Sequence, residues 1–280
     1  MKLLKRTRRN RRKWIAGLIV LPIYVFILFP FYVMIATALK SIKEVYTYPP
    51  LFWSVQPQWE NFVQVWREIP LGNFMMSSLI IASGATVLAT LCAIPAAYAL
   101  ARMSFPGRAF WLQTMLVSQM FSPVIIIVPL FKLIVLLGLN DSYTGLIIAN
   151  AAFDVTFSVW LLTSYFQSIP KDMEEAAFVD GCTRLGVMFR IVLPLARPGV
   201  VTVVIFVFIT TWNEFMMALT FITSPEKKMI TVGLFQLVGK FEVQWNLLAA
   251  GAIFGVLPTL ILFMLIQKQL IKGLVAGAVK

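Results

Sequence analysis

The sequence predicts an all-α membrane protein with six transmembrane helices. Hydrophobic residues make up 60% of its 280 positions, charged residues only 13%, and the mean hydropathy is +0.85. Soluble domains are about half apolar and a quarter charged, so this composition indicates a chain that crosses a membrane several times. Six apolar stretches each hold 20 or more mostly uncharged residues, enough for a helix to cross roughly 30 Å of hydrocarbon. These predicted spans are residues 14–39, 74–100, 109–137, 145–166, 199–222 and 246–267.

Several kinds of chemistry are excluded by residue types that the chain lacks or places far apart. There is no histidine, which removes imidazole catalysis, histidine-ligated metals and a Ser-His-Asp triad. The two cysteines, Cys92 in an apolar stretch and Cys182 in a polar one, differ too much in membrane depth to pair, and neither has a metal-ligand spacing. An intramembrane enzyme is disfavoured because no nucleophile–base pair is recognisable. We therefore expect a non-catalytic chain that binds no metal and no cofactor of its own.

The net charge of +12 is concentrated where it sets membrane orientation. Eight of the 24 basic residues lie in residues 1–13, directly before the first apolar stretch. That placement is typical of a cytoplasmic tail beside anionic lipid rather than of a nucleic-acid-binding arm. With the N-terminus inside, the predicted inner segments hold 17 basic residues and the outer ones 7. The positive-inside rule then predicts that both termini are cytoplasmic.

The first long outer segment, residues 41–73, is rich in aromatic residues. Trp59, Phe62, Val63 and Trp66 are spaced as on one face of a helix. The pattern predicts a short amphipathic helix along the outer membrane surface, which would serve either as an aromatic-belt anchor or as a docking surface.

Small and helix-breaking residues are common inside the predicted spans. Gly84, Ala85 and Ala89 in the second span predict close packing against another helix. Pro123 and Pro129 in the third span each remove a backbone donor and favour kinks.

Charge returns between the fourth and fifth spans, in EEAAFVDGCTRLGVMFRIVLPLARPG (residues 174–199). Pro170 and the acidic residues after it predict the start of a short helix, because the helix dipole favours negative charge in the first turn. Gly181 allows a left-handed turn, and a second short helix is predicted over residues 183–193. A DNA-binding helix-turn-helix is disfavoured, because membrane spans adjoin both ends and the second helix offers only two arginines. A surface that docks into another protein is the better account.

This stretch resembles the EAA loop of ABC-importer permeases: Glu-Ala-Ala, three residues, Gly, and a following Leu-Pro. The stretches AAYALARMSFPGR, TTWNEF and KGLVAGAVK resemble the carbohydrate-importing branch related to the smaller maltose-type permease subunit. Cys182, where alanine is usual, is a minor departure. The resemblance implies the ABC importer type I permease fold, in which the EAA loop (here residues 168–198) fits a groove on a cytoplasmic ATPase. The residues that it assigns to this coupling are Glu174, Glu175, Ala176, Ala177, Asp180, Gly181, Arg184 and Pro194.

The same resemblance implies an assembly in a bacterial inner membrane. It would comprise this chain, a second homologous permease, two ATPase subunits and an extracytoplasmic solute-binding protein, and would import a sugar, polyol or oligosaccharide. ATP and Mg²⁺ would be used by the partner ATPase. The nearest approach to a phosphate-binding loop in this chain, Gly233 to Phe241, has five residues between its glycines where the motif needs four.

Polar residues near the midpoints of the third, fourth and fifth spans are candidates for a substrate pathway. A charged side chain at a helix centre costs roughly 2.5–3.5 kcal/mol to insert, so it should face protein or water, and transport sites commonly lie at the midplane. Alternatively, these residues hold helices together or contact the partner permease. The candidates are Gln119, Ser122, Asp154, Trp212, Asn213 and Glu214. An ion-coupled secondary transporter, with Asp154 and Glu214 as coupling sites, is the other class of function, and the EAA spacing disfavours it.

Overall fold

The computed structural model of the chain describes the backbone of residues 2–239 and 242–278, and the side chains of residues 20–239, 242–265 and 267. In this part of the chain the regular structure is helical, apart from an isolated antiparallel bridge between Val238 and Val243. The α-helices are α1 (Lys2–Ala38), α2 (Ile42–Val45), α3 (Asn61–Glu68), α4 (Leu71–Arg102), α5 (Arg108–Ser118), α6 (Pro123–Leu136), α7 (Tyr143–Ser168), α8 (Asp172–Val179), α9 (Arg184–Val187), α10 (Leu193–Leu195), α11 (Arg197–Trp212), α12 (Met216–Phe221), α13 (Ile230–Phe235) and α14 (Trp245–Ala278). A π-helix (Met188–Val192) joins α9 to α10, and a 3-10 turn (Pro225–Lys227) precedes α13.

Parts of the sequence interpretation fall outside these described residues. They are the side chains of the basic tail (residues 1–13), those of the KGLVAGAVK stretch (residues 272–280), and Lys240 and Phe241 at the end of the rejected phosphate-loop match. The backbone of the tail from Lys2 onward belongs to α1, so the predicted tail and the predicted first span form one helix.

The predicted all-α membrane class is confirmed. Four helical segments of the described chain are long and apolar enough to cross a membrane: Val20–Ala38, Leu71–Arg102, Tyr143–Ser168 and Trp245–Leu265. Two helix pairs pass the same test only when each pair is taken together. The pair α5 and α6 is bent by 104°, and the helical stretch Arg184–Leu195 meets α11 at 80°. The described residues therefore hold up to six spans if each bent pair counts as one.

The third predicted span, residues 109–137, is not the single helix that the sequence predicted. α5 ends at Ser118, and α6 begins at Pro123. Because proline has no backbone N–H, it fits the first position of a new helix, where that donor would have no partner. The predicted kink is therefore a complete break.

The fifth predicted span, residues 199–222, is also divided. The Asn213 amide donates to the carbonyl of Ile209 at 2.8 Å, and α11 ends at Trp212. The carboxylate of Glu214 then accepts hydrogen bonds from the N–H groups of Met217 at 2.7 Å and Ala218 at 2.8 Å, in the first turn of α12. Such bonds satisfy the donors that a helix N-terminus leaves free, so these side chains end one helix and start another.

The chain divides into two compact units. The larger comprises Pro70–Gly233 with Gly255–Lys280, and its core lies between α4, α7 and α11. The predicted close packing of the second span is confirmed, since Ala85 and Ala89 are buried in this core. A β-carbon placed on Gly84 would lie 2.7 Å from Cδ1 of Ile147 on α7, so only glycine allows this approach without movement.

One acidic side chain holds two connections of the larger unit together. Asp141, between α6 and α7, accepts hydrogen bonds from the N–H groups of Thr223 and Ser224, each at 2.9 Å, and from the Ser224 hydroxyl. The ammonium group of Lys227 lies 3.3 Å from the same carboxylate. These bonds, led by that of the Ser224 hydroxyl, hold the pKa of Asp141 well below its ordinary value.

The smaller unit comprises Met1–Ile69 with Leu234–Phe254. Glu44 completes a capping box with Ser41 at the start of α2, and its carboxylate also accepts the N–H of Val55 at 2.9 Å. These hydrogen bonds, the Ser41 backbone bond foremost, lower the pKa of Glu44 to about 2.

The predicted helix of the aromatic outer segment is confirmed as α3. Two of its aromatic residues pack against α14, because the rings of Phe62 and Trp66 lie edge-on to Phe254 at centroid distances of 6.1 and 5.4 Å. Trp59 and Val63 remain 68% and 51% exposed. The aromatic face therefore joins two helices of this unit as well as presenting apolar surface.

Candidate functional site

The first helix of the EAA loop ends in a glycine cap. α8 begins with acidic residues in its first turn, as predicted, and Gly181 after it has a φ of +81°. The Gly181 N–H donates to the carbonyl of Phe178 at 3.1 Å, and the Cys182 N–H donates to that of Ala177 at 3.0 Å. This pair of bonds is the Schellman motif, which glycine adopts with least strain. The predicted left-handed turn is confirmed.

The second helix of the EAA loop contains a widened turn. Thr183 caps α9 with its hydroxyl, and the π-helix Met188–Val192 follows. The N–H of Leu193 donates to the carbonyl of Met188, five residues back. Pro194 comes next, and a proline ring in a helix clashes with the carbonyl four residues before it. A single π turn beside the proline relieves this clash without ending the helix.

Glu174 points into the protein. Its Oε1 lies 2.5 Å from Nε of Arg102 on α4, and its Oε2 accepts a hydrogen bond from the Tyr98 hydroxyl at 3.2 Å. Arg102 also donates to the carbonyl of Ile169, just before α8, at 2.8 Å. The side chains of Arg102 and Glu174 are only 9% and 6% exposed. A buried, charge-assisted pair of this kind attaches α8 to the end of α4.

The eight residues assigned to ATPase coupling are thus divided between two sides of the loop. Glu174 and Ala177, three positions apart on α8, are buried. The other six are exposed: Glu175, Ala176, Asp180, Gly181, Arg184 and Pro194.

Sequence reasoning missed the apolar residues beside this exposed set. Val179 is 87% exposed and Leu185 65%, while Met173 and Phe178 are about half exposed. The helical period contained the signal: if residues 174 and 177 face inward, apolar residues at 173 and 178–179 have to face outward or sideways. A cluster of exposed apolar side chains outside the predicted spans is typical of a protein interaction surface.

Asp154, a candidate pathway residue, joins two helices. It lies on α7 and is 7% exposed. Its Oδ2 accepts a hydrogen bond from the hydroxyl of Thr210 on α11 at 3.0 Å and lies 3.4 Å from that of Thr211. Two threonines at the fifth-span midpoint therefore partner this carboxylate.

The remaining pathway candidates lie in different surroundings. Trp212 is buried and donates its indole N–H to the carbonyl of Gly255 at 2.9 Å. Glu214 caps α12, and Asn213 beside it is exposed. Gln119 lines a cavity of about 210 Å³ against α7, and Ser122 is exposed in the break before α6. The structure thus brings Asp154 to the fifth span, and it places Gln119 and Ser122 in the break between α5 and α6.

Comparisons with known proteins agree with this architecture. Residues 85–275 match the family model described as "Binding-protein-dependent transport system inner membrane component". The chain is 37% identical to the probable ABC transporter permease protein YurM of Bacillus subtilis over 97% of its own length and 92% of that protein. It is 36% identical to the sulfoquinovosyl glycerol transport system permease protein SmoH of Agrobacterium fabrum, over 90% of this chain and 89% of that one.

A solved structure has the same fold. A chain of a bacterial ABC transporter involved in the import of the acidic polysaccharide alginate superposes with a TM-score of 0.77, at 23% identity, over 93% of this chain and 97% of that chain. The family model covers most of the residues that form the larger unit, including the whole EAA loop. This chain therefore belongs to the family of binding-protein-dependent transport system inner membrane components, the permeases of ABC importers.

Proposed function

We propose that this chain is one permease subunit of an ATP-driven sugar importer and that its EAA loop transmits the closure of a cytoplasmic ATPase to the membrane helices. The observation that carries the proposal is the buried Glu174–Arg102 pair. It attaches the inward side of α8 to α4, a membrane-crossing helix, while the opposite side of α8 stays exposed. A push on the exposed side is thereby transmitted to α4 through short, charge-assisted bonds.

The exposed side of the EAA loop fits a protein partner. Val179, Leu185 and half-exposed Phe178 supply apolar area, and Glu175 and Arg184 supply charges of both signs beside it. Interfaces combine an apolar centre with a polar rim, and charged groups at the rim set register and partner choice. Ala176 adds a small side chain that allows close approach.

The assembly that we propose contains a second homologous permease, two ATPase subunits and an extracytoplasmic solute-binding protein. This chain would bind no cofactor, and ATP and Mg²⁺ would be used by the ATPase subunits. Both termini would be cytoplasmic, as would the EAA loop. A cysteine introduced at Ser224 should react with an impermeant thiol reagent added outside, and one introduced at Lys171 should not. The reverse pattern would contradict the orientation.

The proposed substrate class is a sugar, a polyol or an oligosaccharide. The support is the similarity over nine-tenths of the chain to a permease named for sulfoquinovosyl glycerol transport, together with the sequence resemblance to the carbohydrate branch. Asp154, with Thr210 and Thr211, and exposed Asn213 offer the hydroxyl, carboxylate and amide groups that bind sugar hydroxyls.

An ion-coupled secondary transporter is not favoured. The family consists of binding-protein-dependent transport components. The two carboxylates that would serve as coupling sites also have structural partners, since Asp154 bonds threonine hydroxyls and Glu214 caps α12.

The deciding experiment is reconstitution in liposomes. Uptake of radiolabelled sugar should require the complete assembly and ATP, and a Val179→Asp variant should lose the ATPase subunits on purification, because a charge would be buried at the contact. Val179→Thr, which nearly keeps the shape of valine, is the matched control and should retain them. Gradient-driven uptake by this chain alone would overturn the proposal in favour of the ion-coupled class.

A further inference from the structure

A loop of the smaller unit folds back along a membrane-crossing helix. The loop comprises residues Tyr48–Trp53, has the sequence YPPLFW, and is called the aromatic loop below. It lies between α2 and α3, and no Asp, Glu, Lys or Arg occurs from residue 45 to residue 59. Neither the proposed coupling surface nor the proposed pathway uses this segment. Its aromatic, uncharged character therefore calls for a separate explanation.

Contacts with Tyr32 fix the depth of the aromatic loop along α1. The Tyr32 hydroxyl donates to the carbonyl of Phe52 at 2.9 Å, and the Tyr32 ring stacks on Trp53 at a centroid distance of 6.1 Å. Tyr32 precedes Ala38, the last residue of α1, by about 9 Å along the helix axis. Because side chains in a helix tilt towards its N-terminus, the Tyr32 ring projects further from that end. The loop therefore lies beside the membrane-crossing segment Val20–Ala38, well below its end.

Two further hydrogen bonds attach this part of the chain to the end of α1. The ammonium group of Lys40 donates to the carbonyl of Leu51 at 2.5 Å. After the loop, the N–H of Gln58 donates to the carbonyl of Leu39 at 2.8 Å, so the chain has returned to the end of α1 by this residue. The chain thus descends along the helix and climbs back. Because the loop is bonded to α1 at more than one level, its depth in a membrane is set by the depth of that helix.

The side chains of the aromatic loop are not covered by the rest of the chain. Tyr48 is 92% exposed and Phe52 74%, and Trp53 is about half exposed. The neighbouring helix is open in the same way, since only 6% of the segment Val20–Ala38 is buried. The surface at this level is therefore continuous with the part of α1 that faces lipid.

This combination of depth and chemistry identifies the partner as the lipid bilayer. Tyrosine and tryptophan rings favour the membrane–water interface, because one part of each ring is apolar and another is polar. Interfacial segments bury their apolar side chains roughly 5–10 Å into the boundary between headgroups and acyl chains, and a descent of about 9 Å falls within this range. We infer that the aromatic loop is inserted into the interfacial layer of the bilayer beside α1, at the end of the helix that the sequence predicts to be outer. Because the loop is uncharged, its insertion does not depend on the charge of the lipid headgroups.

The test measures the depth of the loop by spin labelling of the full chain in lipid nanodiscs. The free cysteines, Cys92 and Cys182, are replaced by alanine. A single label is then attached through Phe52→Cys or Tyr48→Cys, whose side chains are both exposed. Power-saturation EPR gives the collision rates of each label with oxygen, which concentrates in hydrocarbon, and with a polar nickel chelate, which stays in water.

Two reference variants of the same unit calibrate this measurement. Phe26→Cys places the label on an exposed position of α1 inside its apolar segment, and Glu60→Cys places it on an exposed polar position just after the uncharged stretch. An insertion of roughly 5–10 Å removes a label from water, so the ratio of oxygen to nickel collisions at Phe52→Cys and Tyr48→Cys should be at least about threefold higher than at Glu60→Cys. The ratio at Phe26→Cys should be higher still, because that position is deeper.

The labels at the two loop positions should give the same ratios in zwitterionic and in anionic nanodiscs. A ratio at either position equal to that of Glu60→Cys would place the loop in water and overturn the inference, as would a ratio that rises only in anionic lipid. The labels are also measured in the complete assembly, where contact with oxygen should persist. Loss of both oxygen and nickel collisions there, with Phe26→Cys unchanged, would show that a partner protein covers the loop, and this too would overturn the inference. The measurement on the chain alone involves no sugar and no ATP, so its result is independent of the proposed import function.

Discussion

Removing the Glu174 carboxylate should detach α8 from α4. The substitution Glu174→Ala deletes the 2.5 Å contact with Arg102 and the 3.2 Å bond from Tyr98. Arg102 then keeps its bond to the Ile169 carbonyl but has no counter-charge, at a site where its side chain is 9% exposed. Breaking one side of a buried ion pair costs about 3–5 kcal/mol. We take about 3 kcal/mol, because the loop is at the edge of the protein and the freed arginine can reach water.

This magnitude predicts a measurable local opening. A cost of about 3 kcal/mol raises the population of the detached α8 roughly 150-fold, while the rest of the larger unit stays folded. Amide hydrogen exchange in the full chain should show that loss of protection in α8, and ATPase activity in the assembled complex should become uncoupled from sugar uptake. The control is Glu175→Ala, which removes an exposed carboxylate from the same turn and should leave the protection of α8 unchanged.

A charge swap makes the test stricter. The double variant Glu174→Arg with Arg102→Glu restores opposite charges at the same place and should recover part of the protection, although the Tyr98 and Ile169 bonds are not reproduced. If Glu174→Ala leaves both the exchange of α8 and the coupling at parental values, then the buried pair does not hold the loop and the proposed transmission is refuted.

Three further substitutions test separate features. Gly181→Asp should insert normally, because a β-carbon there meets nothing within 4 Å in this chain and the positive φ costs on the order of 1 kcal/mol. The variant should nevertheless lose the ATPase subunits on purification. Copurification at the parental level would contradict the docking surface. Asp154→Asn keeps an acceptor for Thr210 and should reduce uptake without preventing assembly, whereas failure to assemble would assign Asp154 a structural role only. Glu44 has a folded-state pKa of about 2, below its ordinary 4.5. Its ionised carboxylate therefore contributes to stability, by at most about 1 kcal/mol at this solvent-screened position. This contribution is complete above about pH 4.5 and is lost as the pH falls through about 2. Hydrogen exchange at Val55, corrected for the intrinsic rate, should therefore be constant from pH 7 to 5 and rise towards pH 2, and Glu44→Gln should show the raised value at neutral pH.

The sequence was sufficient for the class of fold and for the turn of the EAA loop. Length and apolarity together identify a spanning helix, because the thickness of the hydrocarbon core sets the length and the hydrocarbon requires apolar side chains. A glycine at a helix end indicates a left-handed cap, because other residues resist the left-handed conformation. The break before Pro123 was underestimated as a kink, since a proline fits either a kink or a new helix start, and only packing decides between them.

The division of residues within the site was harder to predict. Glu174 and Glu175 are adjacent carboxylates with the same chemistry, yet one is buried against Arg102 and the other is exposed. Their difference depends on a residue about 70 positions earlier in the chain, which local pattern does not reveal. Likewise, Glu214 was predicted as a midplane charge, and nothing local showed that its oxygens would cap α12.

The Asp141 carboxylate has a consequence for the order in which the protein is made. Its partners Thr223, Ser224 and Lys227 follow it by 82 to 86 residues. At a synthesis rate of about 5–20 residues per second, Asp141 precedes them by about 4 to 17 s. During that interval the connection between α6 and α7 has been synthesised but lacks the hydrogen bonds that hold it in the folded protein. The fourth and fifth spans have to enter the membrane before these bonds can form. The last polar contacts of this connection thus form only after the EAA loop has been synthesised. Their formation therefore requires that the intervening spans are already in place.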